Sequence, residues 1–253
     1  MRKASFVTLA LTVALLVPVA TMGIPLTTND GIWQNPNPAE TADPTDFFPE
    51  IDNSGDPRVI RWGDPVPVEP DGGGDPNDQQ SGYTYSPLPT DINAPSDGTP
   101  FKVGDFVHEN FPINAPLLED VELSVTFAVD GGTPFGTEIL FEHNETPNFP
   151  ASGICPSTGL PPPPNGCNDI ISAAPASLSI PFLFGGNAFL FQLLGFSDGL
   201  GGFVFEGRTR EFDTTPGELF ARIVPAPEPT TVLLLGTGLL GLGYFSRRWR
   251  PKA

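Results

Sequence analysis

The chain contains two histidines and two cysteines, so any metal or nucleophile chemistry has to be built around His108, His143, Cys155 and Cys167. His143 stands beside Glu142 and Glu145, and His108 beside Glu109. Two imidazoles and a carboxylate are a donor set for zinc. The histidines fall on different predicted strands, however, and the two-residue period of a strand sends Glu142 to the opposite face from His143. No metal set is therefore assigned from the sequence. Cys155 and Cys167 enclose a Pro-rich loop, Pro156 to Gly166, and in an oxidising compartment an even count at close spacing reads as a disulfide. Closing a loop of that size contributes about 3 kcal/mol in the chain-entropy model.

Other chemistry is weaker. The acidic stretch Asp71-Gly72-Gly73-Gly74-Asp75-Pro76-Asn77-Asp78 invites a calcium reading, yet its spacing is neither that of an EF-hand loop nor of a tandem Gly-Gly-x-Gly-x-Asp array; it reads as a solvated linker. Trp33, Trp62, Tyr83 and Tyr85 could stack on sugar rings or pack in a core, and packing is the expectation. Asn144-Glu145-Thr146 fits a glycosylation acceptor pattern, which means little without the matching machinery. Carboxylate pairs of the glycosidase kind occur in any chain this acidic and single out no site. No catalytic residue and no cofactor is assigned.

The elements that would position these residues are strands. Val121, Leu123, Val125, Phe127 and Val129 alternate with Glu122, Ser124 and Thr126, the signature of a half-buried strand, and Asp130-Gly131-Gly132 ends it with a turn. Ile139 and Phe141 alternate with Glu138 and Glu142. Arg58 to Trp62, Gly82 to Tyr85, Phe203 to Phe205 and Leu219 to Val224 add short strands, and Ala188 to Phe196 is apolar on both faces. Prolines at 36, 38, 44, 49, 65, 67, 70 and 76 exclude helix interiors from the first third. Many short strands separated by turns imply an all-β fold, a β-sandwich or jelly roll.

The two ends are of a different kind. Arg2 and Lys3 precede an uncharged apolar run from Ala4 to Val19, shorter than the roughly 20 residues of a spanning helix. Residues 1–23 read as a cleavable export signal. Near the other end Val224-Pro225-Ala226-Pro227-Glu228-Pro229 is an extended linker. An uncharged Leu/Gly-rich span follows over residues 230–246, then the basic tail of Arg247, Arg248, Arg250 and Lys252. A basic cluster directly after an apolar span stays cytoplasmic, so the chain is expected to hold the membrane through this segment before processing. Six of the 12 Lys and Arg residues lie in these end segments, leaving six cations against 30 carboxylates in the body. Such a body repels nucleic acid.

Pro227-Glu228-Pro229, the short apolar span and the terminal arginine cluster together resemble the PEP-CTERM sorting signal. The resemblance implies recognition by an exosortase-type enzyme of a Gram-negative bacterium that makes extracellular polysaccharide, cleavage near the Pro-Glu-Pro motif, and delivery to the surface or matrix. Over residues 28–224 the chain also resembles the choice-of-anchor K domain, through Gly31-Ile32-Trp33, Ile60-Arg61-Trp62-Gly63, Ser81-Gly82-Tyr83, His143 to Asn148, Asn165-Gly166-Cys167-Asn168-Asp169, Phe191 to Phe196 and Leu219 to Ile223. That resemblance implies a β-rich extracellular domain without an assigned activity. The expectation is an exported, non-enzymatic surface or matrix protein with a structural or adhesive role linked to exopolysaccharide, its partners being the export machinery and the sorting enzyme. The alternatives are a carbohydrate-binding module, with or without calcium, and, behind it, a secreted hydrolase.

Overall fold

The structure, a computed structural model, describes residues 23–38, 49–65, 79–88, 92–114, 116–130, 132–146, 150–163 and 166–227. The export signal up to residue 22, the acidic stretch Asp71–Asp78 and everything after Pro227 lie outside the described residues. Those include Glu228, Pro229, the apolar span and the basic tail.

The described residues form strands and no helix, so no described helix is long and apolar enough to cross a membrane. In chain order the strands are β1 (Gly23–Pro38), β2 (Glu50–Asp52), β3 (Arg58–Trp62), β4 (Asp64–Pro65), β5 (Ser81–Pro87) and β6 (Ile92–Pro95). They continue with β7 (Phe101–Asn110), β8 (Ile113–Asn114), β9 (Leu118–Val129), β10 (Phe135–Asn144) and β11 (Asn168–Pro175). The last are β12 (Ser179–Phe184), β13 (Asn187–Ser197), β14 (Phe203–Val204), β15 (Glu206–Arg210) and β16 (Asp213–Pro225). One sheet has the order β15-β11-β10-β9-β1-β6 and the other β12-β13-β16-β7-β5-β3-β2, with β14 beside β13 and β4 paired to β8. Neighbours run antiparallel, as in β1–β9, β10–β11 and β7–β16.

The alternation legible in the sequence sets which face is inside. On β9, Val121, Leu123, Val125, Phe127 and Val129 are buried, and on β10 Ile139 and Phe141 are buried while Glu138 and Glu142 are exposed. The facing sheet contributes Ile60, Trp62, Tyr83, Tyr85, Val103 and Phe106, and both sets form one core. Aromatic rings fill it: Trp33 lies 5.7 Å from Tyr83 and 5.4 Å from Phe141, and Phe106 stacks on Phe141 at 5.2 Å. β13 departs from the expectation of a strand buried on both faces, since Phe189, Phe191 and Leu193 are buried whereas Leu190 and Leu194 are half-buried.

β1 is one of the strands, with β7, β11 and β12, that sequence pattern does not reveal. Ile24 and Leu26 point inward, but the register against β9 shifts between Leu26 and Thr28, so Asn29, Gly31 and Trp33 are the next buried side chains. A bulge of this kind breaks the period and hides the strand. Asn29 is accommodated because its Nδ2 donates to the Val103 and Leu88 carbonyls at 2.6 and 3.2 Å. Cys155 and Cys167 are buried and disulfide-bonded, with Cα atoms 5.4 Å apart.

Two glycines leave room for Tyr85. A Cβ at Gly31 would lie 2.4 Å from Cε1 of that ring, and one at Gly104 would lie 2.5 Å from Cε2 and from the hydroxyl oxygen. Because Tyr85 is fully buried, the ring cannot swing out. Gly31→Ala and Gly104→Ala are each expected to lower stability by about 1–3 kcal/mol, the usual cost of overpacking, as read by urea unfolding of the body.

Candidate functional site

The inward faces of β7 and β10 each carry a histidine near their ends. His108 follows Phe106 at the two-residue period of β7, and His143 follows Ile139 and Phe141 at the same period of β10. The strands belong to opposite sheets, so the sandwich sets the imidazoles against each other, with ring centroids 5.3 Å apart at 80°. Trp62 covers both, near-parallel to His108 at 6.3 Å and edge-on to His143 at 5.0 Å. Tyr83, the β5 partner of His108 in register, shares a 2.7 Å hydrogen bond between its hydroxyl and Nδ1 of His143.

Three carboxylates close around the pair. Glu145, two residues past His143, accepts a hydrogen bond from His143 Nε2 at 3.2 Å. Asp169, at the start of β11, brings Oδ2 to 3.7 Å from the same nitrogen. Its Oδ1 accepts from the Thr146 backbone N–H at 2.9 Å and lies 3.3 Å from the Thr146 hydroxyl. Glu211 enters from the turn between β15 and β16, where the chain passes from one sheet to the other, and is 1 % exposed. One donor atom each from His108, His143 and Asp169 lie within 4.8 Å of one another, and the same holds for Glu145, Asp169 and Glu211. Both ring nitrogens of His108 and Oδ2 of Asp169 are buried without a hydrogen-bond partner.

Burial dominates the electrostatics. It holds His108 well below the usual imidazole range, with His143 adding to the effect. It lowers His143 to about 4, opposed by the Asp169 carboxylate. It raises Glu145 to about 7, and Asp169 to about 8 with Glu145 adding. Burial, then the charges of Asp169 and Glu145, keep the Tyr83 hydroxyl protonated. Without a bound cation, then, the imidazoles are neutral near pH 7, and Glu145 and Asp169 keep protons to a higher pH than ordinary carboxyl groups do.

The sequence-derived site residues are distributed very differently. Trp33, Trp62, Tyr83 and Tyr85 are at most 1 % exposed, so none presents a ring face to a sugar. Gly195-Phe196-Ser197-Asp198-Gly199, which the sequence reading passed over in finding no nucleophile elbow, has the Gly-x-Ser-x-Gly spacing of one, but an elbow needs a strand-to-helix turn and a base on the serine. Here Ser197 ends β13 in a loop and its hydroxyl accepts from the Gly199 N–H at 3.2 Å. His108 lines the same cleft as Ser197 but makes no hydrogen bond to it. Cys155 and Cys167 serve only as a disulfide. Of the sorting motif, Pro227 is the one described residue.

Sequence reasoning placed His143 and Glu145 correctly as neighbours but did not connect them to His108, Asp169 or Glu211. One signal was available: at period 2, His143 shares the apolar face of Ile139 and Phe141. Glu145 and Glu211 stand just beyond strand ends, where periodicity carries no information.

Residues 225–248 match the PEP-CTERM protein-sorting motif. The motif indicates exosortase-dependent sorting of an exported protein to the envelope or surface of a Gram-negative bacterium. Its match begins at Pro225, the last residue of β16. A search of curated proteins found no match to the chain.

The titrations set a pH dependence. A carboxyl group whose pKa is raised on folding contributes stability that is lost as pH climbs from the unfolded value to the folded one. An imidazole lowered on folding destabilises as pH falls through the corresponding window. The two oppose each other between about pH 4 and 6.5, and only the carboxyl effect of Glu145 and Asp169 remains from about 6.5 to 8. In chelating buffer the stability is therefore expected to fall between those last values. Asp169→Asn is expected to flatten the fall, as measured by urea unfolding at a series of pH values.

Proposed function

We propose that the protein is an exported, non-enzymatic component of the cell surface or extracellular matrix, sorted and cleaved at its carboxyl end by an exosortase-type enzyme. Its β body would have a structural or adhesive role alongside exopolysaccharide. The sorting motif, which begins where the last strand of the body ends, is the observation that carries this reading. The resemblance of the body to the choice-of-anchor K domain, a domain without assigned activity, agrees with it. Burial of the four aromatic residues, and the absence of a base on Ser197 among the described residues, weigh against the carbohydrate-binding and hydrolase alternatives.

The apolar span over residues 230–246 is short for a bilayer core of about 30 Å, which suits a segment that holds the chain until it is cut. The basic tail of Arg247, Arg248, Arg250 and Lys252 would keep the terminus cytoplasmic until then.

Intact-mass analysis of surface material from cells with and without the sorting enzyme tests the proposal. The mature chain is expected to end near Pro227-Glu228-Pro229 in the first case and to retain its terminus in the second. An unprocessed terminus in both would reduce the segment to a plain anchor. Deleting residues 227–253 is expected to release a folded body into the periplasm or medium, because β16 ends at Pro225. On a glycan array the released body is expected to show no chelator-sensitive binding; such binding would favour the lectin-like reading.

A further inference from the structure

We propose that His108, His143, Glu145 and Asp169 bind one divalent transition-metal ion of the zinc class between the two sheets, with Glu211 contributing charge beside it.

The spacing fits such an ion. Ligand atoms about 2.0–2.1 Å from a tetrahedral zinc lie about 3.3–3.4 Å apart. His143 Nε2 stands 3.2 Å from Glu145 Oε2 and 3.7 Å from Asp169 Oδ2. The His108, His143 and Asp169 donor atoms all fall within 4.8 Å of one another, Glu145 and Asp169 fall within the same limit with Glu211, and an ion would draw these donors inward to a common centre.

The imidazole of His108 points to the same conclusion independently. It is 0 % exposed, and neither ring nitrogen has a hydrogen-bond partner. Burying a polar ring in that condition costs free energy that nothing in the protein returns. A bound cation supplies the missing partner to His108 and to Oδ2 of Asp169.

The remaining atoms of two ligands are already held. Thr146 occupies Oδ1 of Asp169 and leaves Oδ2 for the metal. Tyr83 occupies Nδ1 of His143 and leaves Nε2. A tyrosine hydroxyl both donates and accepts. When Nε2 gives up its proton to a metal, the bond to Tyr83 can reverse so that Nδ1–H donates. Outer groups of this kind orient metal ligands.

Donor type narrows the ion. Calcium and magnesium prefer oxygen alone, whereas two imidazoles with carboxylates suit zinc and its neighbours. His108 comes from one sheet, and His143 and Asp169 from the other, so the ion would clamp the sandwich at the end where the β15–β16 turn crosses. With four protein ligands and no open position, such an ion would have a structural rather than a catalytic role.

The test uses the exported protein purified without chelator. Elemental analysis is expected to find about one zinc-class ion per chain. Titration of chelator-stripped protein with Zn2+ is expected to raise the melting temperature, while Ca2+ and Mg2+ do not. His108→Gln and Asp169→Asn are expected to weaken Zn2+ binding by more than the roughly 10–100-fold typical of an outer-shell loss, and Tyr83→Phe by about that range. Asp169→Asn preserves shape and removes a carboxyl that is protonated without metal, so it keeps the test open if His108→Gln misfolds. Failure of Zn2+ to bind or stabilise the wild type overturns the proposal. So does Zn2+ stabilisation that survives both substitutions, which would mark an adventitious surface site.

Discussion

Tyr83 takes part in two environments that a protein interior normally keeps apart. Its ring packs among Trp33, Phe106 and Phe141 at 5.3–5.7 Å, while its hydroxyl reaches His143 at the polar end of the same layer. Ring packing fixes the hydroxyl, the hydroxyl holds the orientation of the His143 ring, and His143 in turn meets Glu145 and Asp169. The polar cluster is held in place by the aromatic core, and the core is closed at that end by the cluster. With burial on every side, each unpaired atom there costs more than it would at the surface.

Strand identity was largely legible in the sequence where one face is uniformly apolar, as in β9 and β10. Legibility failed where the inward face changes character along the strand. On β7 the buried positions run Val103, Gly104, Phe106, His108 and Asn110, so Val107 faces outward and two polar residues face inward, and no alternation of hydrophobicity survives. Asn110 is accommodated by donating to the Thr209 carbonyl across the sheets at 3.2 Å. That bond depends on the tertiary fold and has no local signature. The cluster was illegible for the same reason: its members come from β7, β10, β11 and the turn after β15, and only the stacking of two sheets makes them neighbours.

The imbalance of six cations against 30 carboxylates in the body is managed mainly by exposure. Several cations are used locally: Arg58 joins Asp30 to the Gly31 and Gly55 carbonyls, Arg61 pairs with Glu109, and Lys102 bridges Asp105 and Glu218. No described cation is within salt-bridge reach of Glu145 or Asp169. The protein thus spends its few positive charges near the surface, where each is worth little, and leaves Glu145 and Asp169 without a Lys or Arg partner among the described residues.

β16 lies between β13 and β7, inside its sheet rather than at an edge, and it leads directly into the terminal segment. Its hydrogen bonds to both neighbours run perpendicular to its length. A pull on the chain at Pro225 along that axis loads these two ladders in shear, so many bonds must yield together instead of opening one at a time as at a peeled edge. A body tethered by this end and dragged by flow or by a surrounding gel would meet the force along its stiffest direction.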